Sequence, residues 1–247
     1  MNENIIRACD MIKEATNTWV LSGAGISTES GIPDFRSPKV GLWNKIDPME
    51  ALSTEVLYNN PKKFYDIGYK LLLGMEDVEP NKGHLALAEM EKLGFIKGII
   101  TQNIDGLHQK GGSKNVLEIH GHIRTGRCIN CGKVVKLSVL TEKVNKNQIP
   151  PKCDKCNGML RPDVVMFGDN LPEDFNIAWE NSKTADLMIV VGSSLTVAPA
   201  NYLPQMASKV IIINIGETPM DKHADLVIRD KIGNVLTKIL DKLKKGE

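Results

Sequence analysis

The residues best suited to chemistry fall in a few short stretches. From Ser22 to Arg36 the chain reads Ser-Gly-Ala-Gly-Ile-Ser-Thr-Glu-Ser-Gly-Ile-Pro-Asp-Phe-Arg, directly after an apolar run, Trp19-Val20-Leu21. Gly23 and Gly25 lack a Cβ and let backbone approach a ligand closely. A strand that passes through such a turn into a helix presents amides to a pyrophosphate. Thr28 stands where the third glycine of G-x-G-x-x-G would fall. The signal is therefore weak, and an ordinary tight turn explains it as well. Pro33-Asp34-Phe35-Arg36 adds a carboxylate, an aromatic ring and a guanidinium, a set suited to a charged, flat leaving heterocycle. Farther on, Gln102-Asn103-Ile104-Asp105 and His120-Gly121 each follow an apolar run. A histidine at a strand end is a natural general base for a hydroxyl. His84, His108, His122 and His223 have no such setting and read as structural.

Cys128-Ile129-Asn130-Cys131 and Cys153-Asp154-Lys155-Cys156 form paired C-x-x-C knuckles, spaced slightly wider than the commonest zinc ribbon. Four thiolates suit tetrahedral zinc, with Gly132 and Gly158 supplying the turns; disulfides or a single iron are the alternatives. A site closed by four cysteines leaves no position for a metal-bound water, so zinc here holds a small module together. Cys9 sits apart and reads as a small buried hydrophobe.

The elements that must position these groups follow from periodicity. Near-continuous apolar runs at 19–21, 98–101, 116–120, 187–192, 210–214 and 226–228 alternate with helical patterns, which predicts a parallel sheet covered on both faces. Ile5, Cys9 and Ile12 mark a helix over 4–15; Ala86, Met90 and Leu93 mark another, stopped by Gly94. The last helix carries Ile232, Val235, Leu236, Ile239, Leu240 and Leu243 on one side. Residues 38–80 lack any strand signal, and Asn60-Pro61 looks like the start of a helix through Phe64, Ile67 and Leu71. The fold class is thus α/β: a doubly wound, Rossmann-like parallel sheet with a smaller zinc-ribbon and helical domain inserted. The expected division is 1–37, 81–121 and 168–247 for the sheet, 38–80 for the helical insertion and 122–167 for the zinc ribbon. Polar residues cluster past the carboxyl ends of the strands, where open α/β sheets bind ligands.

Over 247 residues, 42% hydrophobic and 25% charged content describes a globular protein with room for a large core. A net charge of +1 argues against a nucleic-acid or membrane partner. No apolar signal region or spanning run is evident, so a cytoplasmic setting is expected. G-x-S-x-G, the P-loop and H-E-x-x-H are missing, which removes the usual serine-hydrolase, P-loop and zinc-protease readings. A hydride-transferring dehydrogenase lacks the acid expected about 20 residues past the glycines.

Gly-Ala-Gly-Ile-Ser, Gly-Ile-Pro-Asp-Phe-Arg, Thr-Gln-Asn-Ile-Asp, His-Gly, the paired C-x-x-C, Phe-Gly-Asp, Gly-Ser-Ser-Leu and Asn-Ile-Gly-Glu-Thr occur in one order between Leu21 and Ile232. In this combination the chain resembles the sirtuins, NAD-dependent protein-lysine deacylases. The resemblance implies that Ala24 and Thr28 lie against the pyrophosphate and ribose, that Phe35 shields the reacting carbon and that Arg36 contacts phosphate or ribose. It puts Gln102 in the NAD site, Asn103 on the ribose hydroxyls, Ile104 and Asp105 on the nicotinamide carboxamide, and Ser193, Ser194, Asn214 and Ile232 around the adenosine half. Val165, Phe167 and the backbone of Gly168 and Asp169 would flank an acyl-lysine peptide, which adds as a strand opposite Leu195 and Val197. His120 is the implied base, aided by Asn103. The implied reaction releases nicotinamide, transfers the acyl group to ADP-ribose and frees lysine. Cofactors are NAD and one structural zinc; the partners are acetylated proteins or peptides. Mono-ADP-ribosyl transfer from the same NAD site is the alternative. Asp169 departs from the family's usual glutamate. Tyr65-Asp66-Ile67-Gly68 lacks the arginine with which some sirtuins hold acidic acyl groups, so neutral acyl groups, acetyl first, are expected.

Overall fold

The computed structural model describes residues 2–34, 47–75 and 77–246. Its strands are β1 (Thr18–Ser22), β2 (Gly98–Thr101), β3 (Val116–Glu118), β4 (Gly121–Cys128), β5 (Val134–Lys136), β6 (Leu160–Val164), β7 (Leu187–Val191), β8 (Lys209–Ile213) and β9 (Leu226–Ile228). Six of them form one sheet in the order β3-β2-β1-β7-β8-β9, parallel throughout. From β1 the chain winds outward to β3; from β7 it winds outward the other way to β9. The direction reverses between β1 and β7, which opens a crevice at their carboxyl ends.

β1 and β7 are buried along their whole length because helices cover both faces. Val20 points into a core shared with helices Asn2–Glu14, Lys82–Lys92 and Ile232–Lys245. Trp19 and Leu21 point oppositely, toward helix Glu173–Thr184. The stripe expected on the last helix is buried in full, from Ile232 to Leu243. Each such large side chain contributes roughly 1.5–3 kcal/mol of burial. One expected core position fails: Leu93 is 45% exposed, because helix Lys82–Lys92 has already ended and Gly94 turns the chain with φ +82°. Leu87 takes its place in the core.

A second sheet, β5-β4-β6, is antiparallel and carries the cysteine knuckles, with helix Leu137–Asn145 packed on it. It shares a core with the helices of residues 48–75, where Phe64, Tyr65 and Tyr69 are wholly buried. Asn60 caps the helix that begins at Pro61 by accepting the Lys63 amide at 3.1 Å. That helix widens to a π turn over Phe64–Gly68. A Cβ on Gly68 would fall 2.0 Å from the Ala51 carbonyl oxygen, so only glycine lets the two segments pass. Between the sheets, Glu118 of β3 accepts the fork of Arg124 of β4 at 2.7 and 2.5 Å.

Candidate active site

Both glycine turns at the crevice owe their residue type to each other. The Gly23 amide donates to Val191 O at 3.0 Å and the Gly25 amide to Gly192 O at 2.8 Å. A Cβ on Gly23 would meet Gly192 O at 2.8 Å, and one on Gly25 would meet Gly192 Cα at 2.7 Å. The missing side chains therefore make room for the loop after β7. The segment that follows, Ala24–Ser30, is a short 3-10 helix.

Behind this crevice runs a buried chain of hydrogen bonds. His108 Nε2 lies 2.8 Å from Ser22 Oγ, which donates to Thr101 Oγ1 at 2.8 Å; that oxygen also accepts the Asn103 amide at 3.1 Å. The Asn103 carboxamide then donates to Gly23 O and Ser27 Oγ, both at 3.2 Å, and Ser27 Oγ donates to Asp105 at 2.7 Å. Asp105 also accepts the Leu107 amide at 2.9 Å. Burial pushes its carboxyl up from the ordinary value of 3.8, against those two hydrogen bonds. Gln102 Nε2 donates to Ser193 Oγ at 2.9 Å and so joins the ends of β2 and β7.

His120 stands in the link between the sheets. β3 ends at Glu118, short of the expected 116–120, because Ile119 and His120 turn out of the sheet toward β4. The Ile119 amide still reaches Thr101 O at 3.1 Å, and His120 O accepts the Val165 amide at 2.9 Å. The imidazole Nδ1 lies 3.0 Å from Gln102 O. A carbonyl only accepts, so Nδ1 carries the hydrogen and the basic lone pair is on Nε2.

Ser27, Gln102, Asn103, Asp105 and His120 line one cavity of about 300 Å³ together with Ala24, Ile104, Val165, Phe167, Gly168, Asp169 and Val197. Thr28, Ser193, Ser194 and Asn214 lie outside that lining, although Ser193 touches Gln102. Leu195 and Ile232 are buried at 4% exposure each, their side chains packed in the core. Phe35 and Arg36 lie outside the described residues. The sequence reading missed Ser27, although it sits within Gly-Ala-Gly-Ile-Ser. It also missed the apolar wall of Ile32, Leu52, Leu72 and Met75, whose members carry no motif.

The four knuckle sulfurs lie within 4.8 Å of one another, with Cys128 and Cys156 at 3.4 Å and Cys131 and Cys153 at 3.9 Å. Tetrahedral zinc with bonds of about 2.3 Å sets sulfurs about 3.8 Å apart, so the donor set fits. The amide of Cys131, and then that of Asn130, point at Cys128 Sγ and lower its pKa to about 6. At Cys156 the Gly158 amide acts in the same direction, but the crowding sulfurs of Cys128 and Cys131 push the thiol up to about 12.

The Sir2 family profile matches residues 23–199. The chain belongs to the Sir2 family. It is 56% identical to NAD-dependent protein deacetylase 2 of Caldanaerobacter subterraneus subsp. tengcongensis, across 96% of this chain and 95% of that one. The Sulfurisphaera tokodaii NAD-dependent protein deacetylase is 45% identical over 95% of this chain and 94% of its own. Among solved structures, a Sir2 protein with a deacetylated p53 peptide and an O-acetyl ADP ribose superposes with a TM-score of 0.92 at 37% identity, covering 96% of this chain and 98% of that one. A Sir2 complex with p53 peptide and NAD gives 0.87 at 37% identity, covering 96% and 97%. The sirtuin resemblance and the α/β fold with its added module thus hold.

Proposed function

We propose that this Sir2 chain is an NAD-dependent protein-lysine deacetylase that releases nicotinamide and moves the acetyl group to ADP-ribose. The observation that carries the reading is the His120 imidazole, held by Gln102 O at 3.0 Å in the tautomer of a base, on the wall of a cavity shared with Asn103, Asp105 and Phe167. The cavity sits at the switch point, and its donors and acceptors fit a nicotinamide nucleotide: a carboxylate for an amide N–H, and carboxamide and hydroxyl groups for a ribose. NAD, when bound, supplies an anomeric carbon with nicotinamide as its leaving group.

His120 takes a proton from a ribose hydroxyl at Nε2, while the bond at Nδ1 keeps the ring oriented. Asn103 orients the ribose; Ile104 and Asp105 hold the carboxamide. Ala24 and Thr28 lie against the pyrophosphate. Ser193, Ser194 and Asn214 hold the adenosine half, Ile232 contributing through its backbone. Val165, Phe167, Gly168 and Asp169 receive the acyl-lysine opposite Val197 and the backbone of Leu195. The wall of Ile32, Leu52, Leu72 and Met75 excludes water and presents no cation, which favours a neutral acyl group.

The same reading keeps 1–37, 81–121 and 168–247 as the NAD-binding part, 38–80 as the helical insertion and 122–167 as the zinc ribbon. Among the described residues no helix is long and apolar enough to cross a membrane. None of the five cysteines is in a disulfide, in keeping with a reducing cytoplasm. The test is incubation with NAD and an acetyl-lysine peptide, following nicotinamide and the nucleotide product by mass spectrometry. O-acetyl-ADP-ribose is expected. A peptide heavier by ADP-ribose, with no acetylated nucleotide, would reject deacetylation in favour of ADP-ribosyl transfer.

A further inference from the structure

The segment from Val165 to Asp169 is tied down almost completely. The Val165 amide donates to His120 O at 2.9 Å, the Phe167 amide to Leu52 O at 3.0 Å and the Asp169 amide to Met166 O at 3.0 Å. The Met166 amide donates to the Asp169 carboxylate at 2.9 Å. On the other side Phe167 O accepts the Thr54 amide at 2.9 Å. Of the five amides, Gly168 alone has no partner within the described residues. Gly168 is exposed and has φ +91°, and a Cβ there would meet Thr54 Oγ1 at 2.6 Å. A strand added at this edge therefore finds its hydrogen-bond donor at Gly168.

The turn is closed by a side chain outside it. Arg161, on β6, donates through Nη1 and Nη2 to the two oxygens of Asp169, at 2.9 and 2.5 Å, and through Nη2 to Val164 O at 3.0 Å. The pair is shielded, at 14% and 18% side-chain exposure. A forked, charge-assisted contact of this kind fixes direction as well as distance. Asp169 is thus occupied within the chain by both Arg161 and the Met166 amide. Without the guanidinium, the carboxylate would turn to water and release the Met166 amide, and the Gly168 turn with it.

We propose that Arg161 is a positioning residue for peptide recognition. Acting through Asp169, it holds the turn that offers the Gly168 amide to the substrate strand, and touches neither peptide nor nucleotide. This rests on the deacetylase reading given above. The departure from the usual glutamate is then consistent with a short side chain that reaches the fork and the Met166 amide together.

The experiment compares wild type, Arg161→Met and Arg161→Lys in steady-state assays with an acetyl-lysine peptide and NAD, alongside thermal melts. Loss of the fork is expected to raise the peptide KM on the order of tenfold, the effect of one charged hydrogen bond. The KM for NAD and kcat should stay within about twofold of wild type at that bond's remove from the reacting atoms. Lysine, which keeps the charge but not the fork, should fall between, and it serves alone should the methionine variant not fold. An unchanged peptide KM, or a rise shared equally by the KM for NAD, overturns the inference. Inactive wild type would instead reject the deacetylase reading, so the failures are distinct.

Discussion

His120 can act as the proposed base only because three distant residues meet around it. Gln102 O orients its ring, Val165 pins its backbone and Asn103 lies on the same wall. His120→Ala should lower deacetylation by roughly 10²–10⁴, the usual effect of a positioned base, while zinc content and melting temperature stay near wild type. Turnover within tenfold of wild type would reject the assignment. Acyl preference is also decided at single residues. No Lys or Arg lines the described cavity wall, and Tyr65 is buried with its hydroxyl donating to Leu160 O. Acetyl-lysine should therefore react faster than succinyl-lysine, whose carboxylate would be buried without a partner; the reverse order in a competition assay would contradict this. Histidine and asparagine were legible because they stand in short motifs. Ser27 and Arg161 were not, since their meaning lies in partners that folding brings up: Asp105, far along the chain, and the turned-back Asp169.

At the scale of elements, helix Lys82–Lys92 begins under the site and carries a titratable group there. Asn81 caps it by accepting the Gly83 amide at 2.9 Å, and His84 Nδ1 accepts the Asn81 amide at 3.3 Å. The His84 ring packs edge-on against His108, centroids 4.9 Å apart, and both rings are buried. Burial lowers His84 from 6.5 to about 4, and burial followed by the His84 charge lowers His108 in the same direction. Both imidazoles fold as neutral groups while the unfolded chain takes up protons near 6.5. Their stabilisation is present above that value and is lost as pH falls through about 4, where His84 alone accounts for about 3 kcal/mol. Urea midpoints at pH 7 and pH 4.5 should show the fall. His84→Gln, which can keep the cap, should flatten it; an identical profile in the variant would count against the pair.

Across the whole molecule, the cavity exists only where the antiparallel module closes over the parallel sheet. The module's core is the one shared by Cys128, Cys153, Leu140, Tyr65 and Tyr69, and the Glu118–Arg124 pair joins it to β3. Small cores of this kind depend on a metal. Removing zinc with a chelator, or Cys128→Ser, should cost bound metal by elemental analysis and strip amide-exchange protection from β4, β5 and β6. The six-stranded sheet should keep its protection. A Cys128→Ser protein that retains full metal and a protected second sheet would refute the structural role.

Residue type and spacing alone determined the parallel sheet, the helices of 48–75 and the cysteine knuckles, and singled out His120 as the proposed base, because apolar runs, C-x-x-C pairs and strand-end motifs are local patterns. Tertiary structure decided the rest. It shows that Gly23 and Gly25 answer to Gly192, that Leu195 and Ile232 belong to the core, and that Asp169 is engaged by Arg161. The reason is the same each time: what a side chain touches depends on which strand ends the sheet order brings side by side, and no stretch of sequence contains that order.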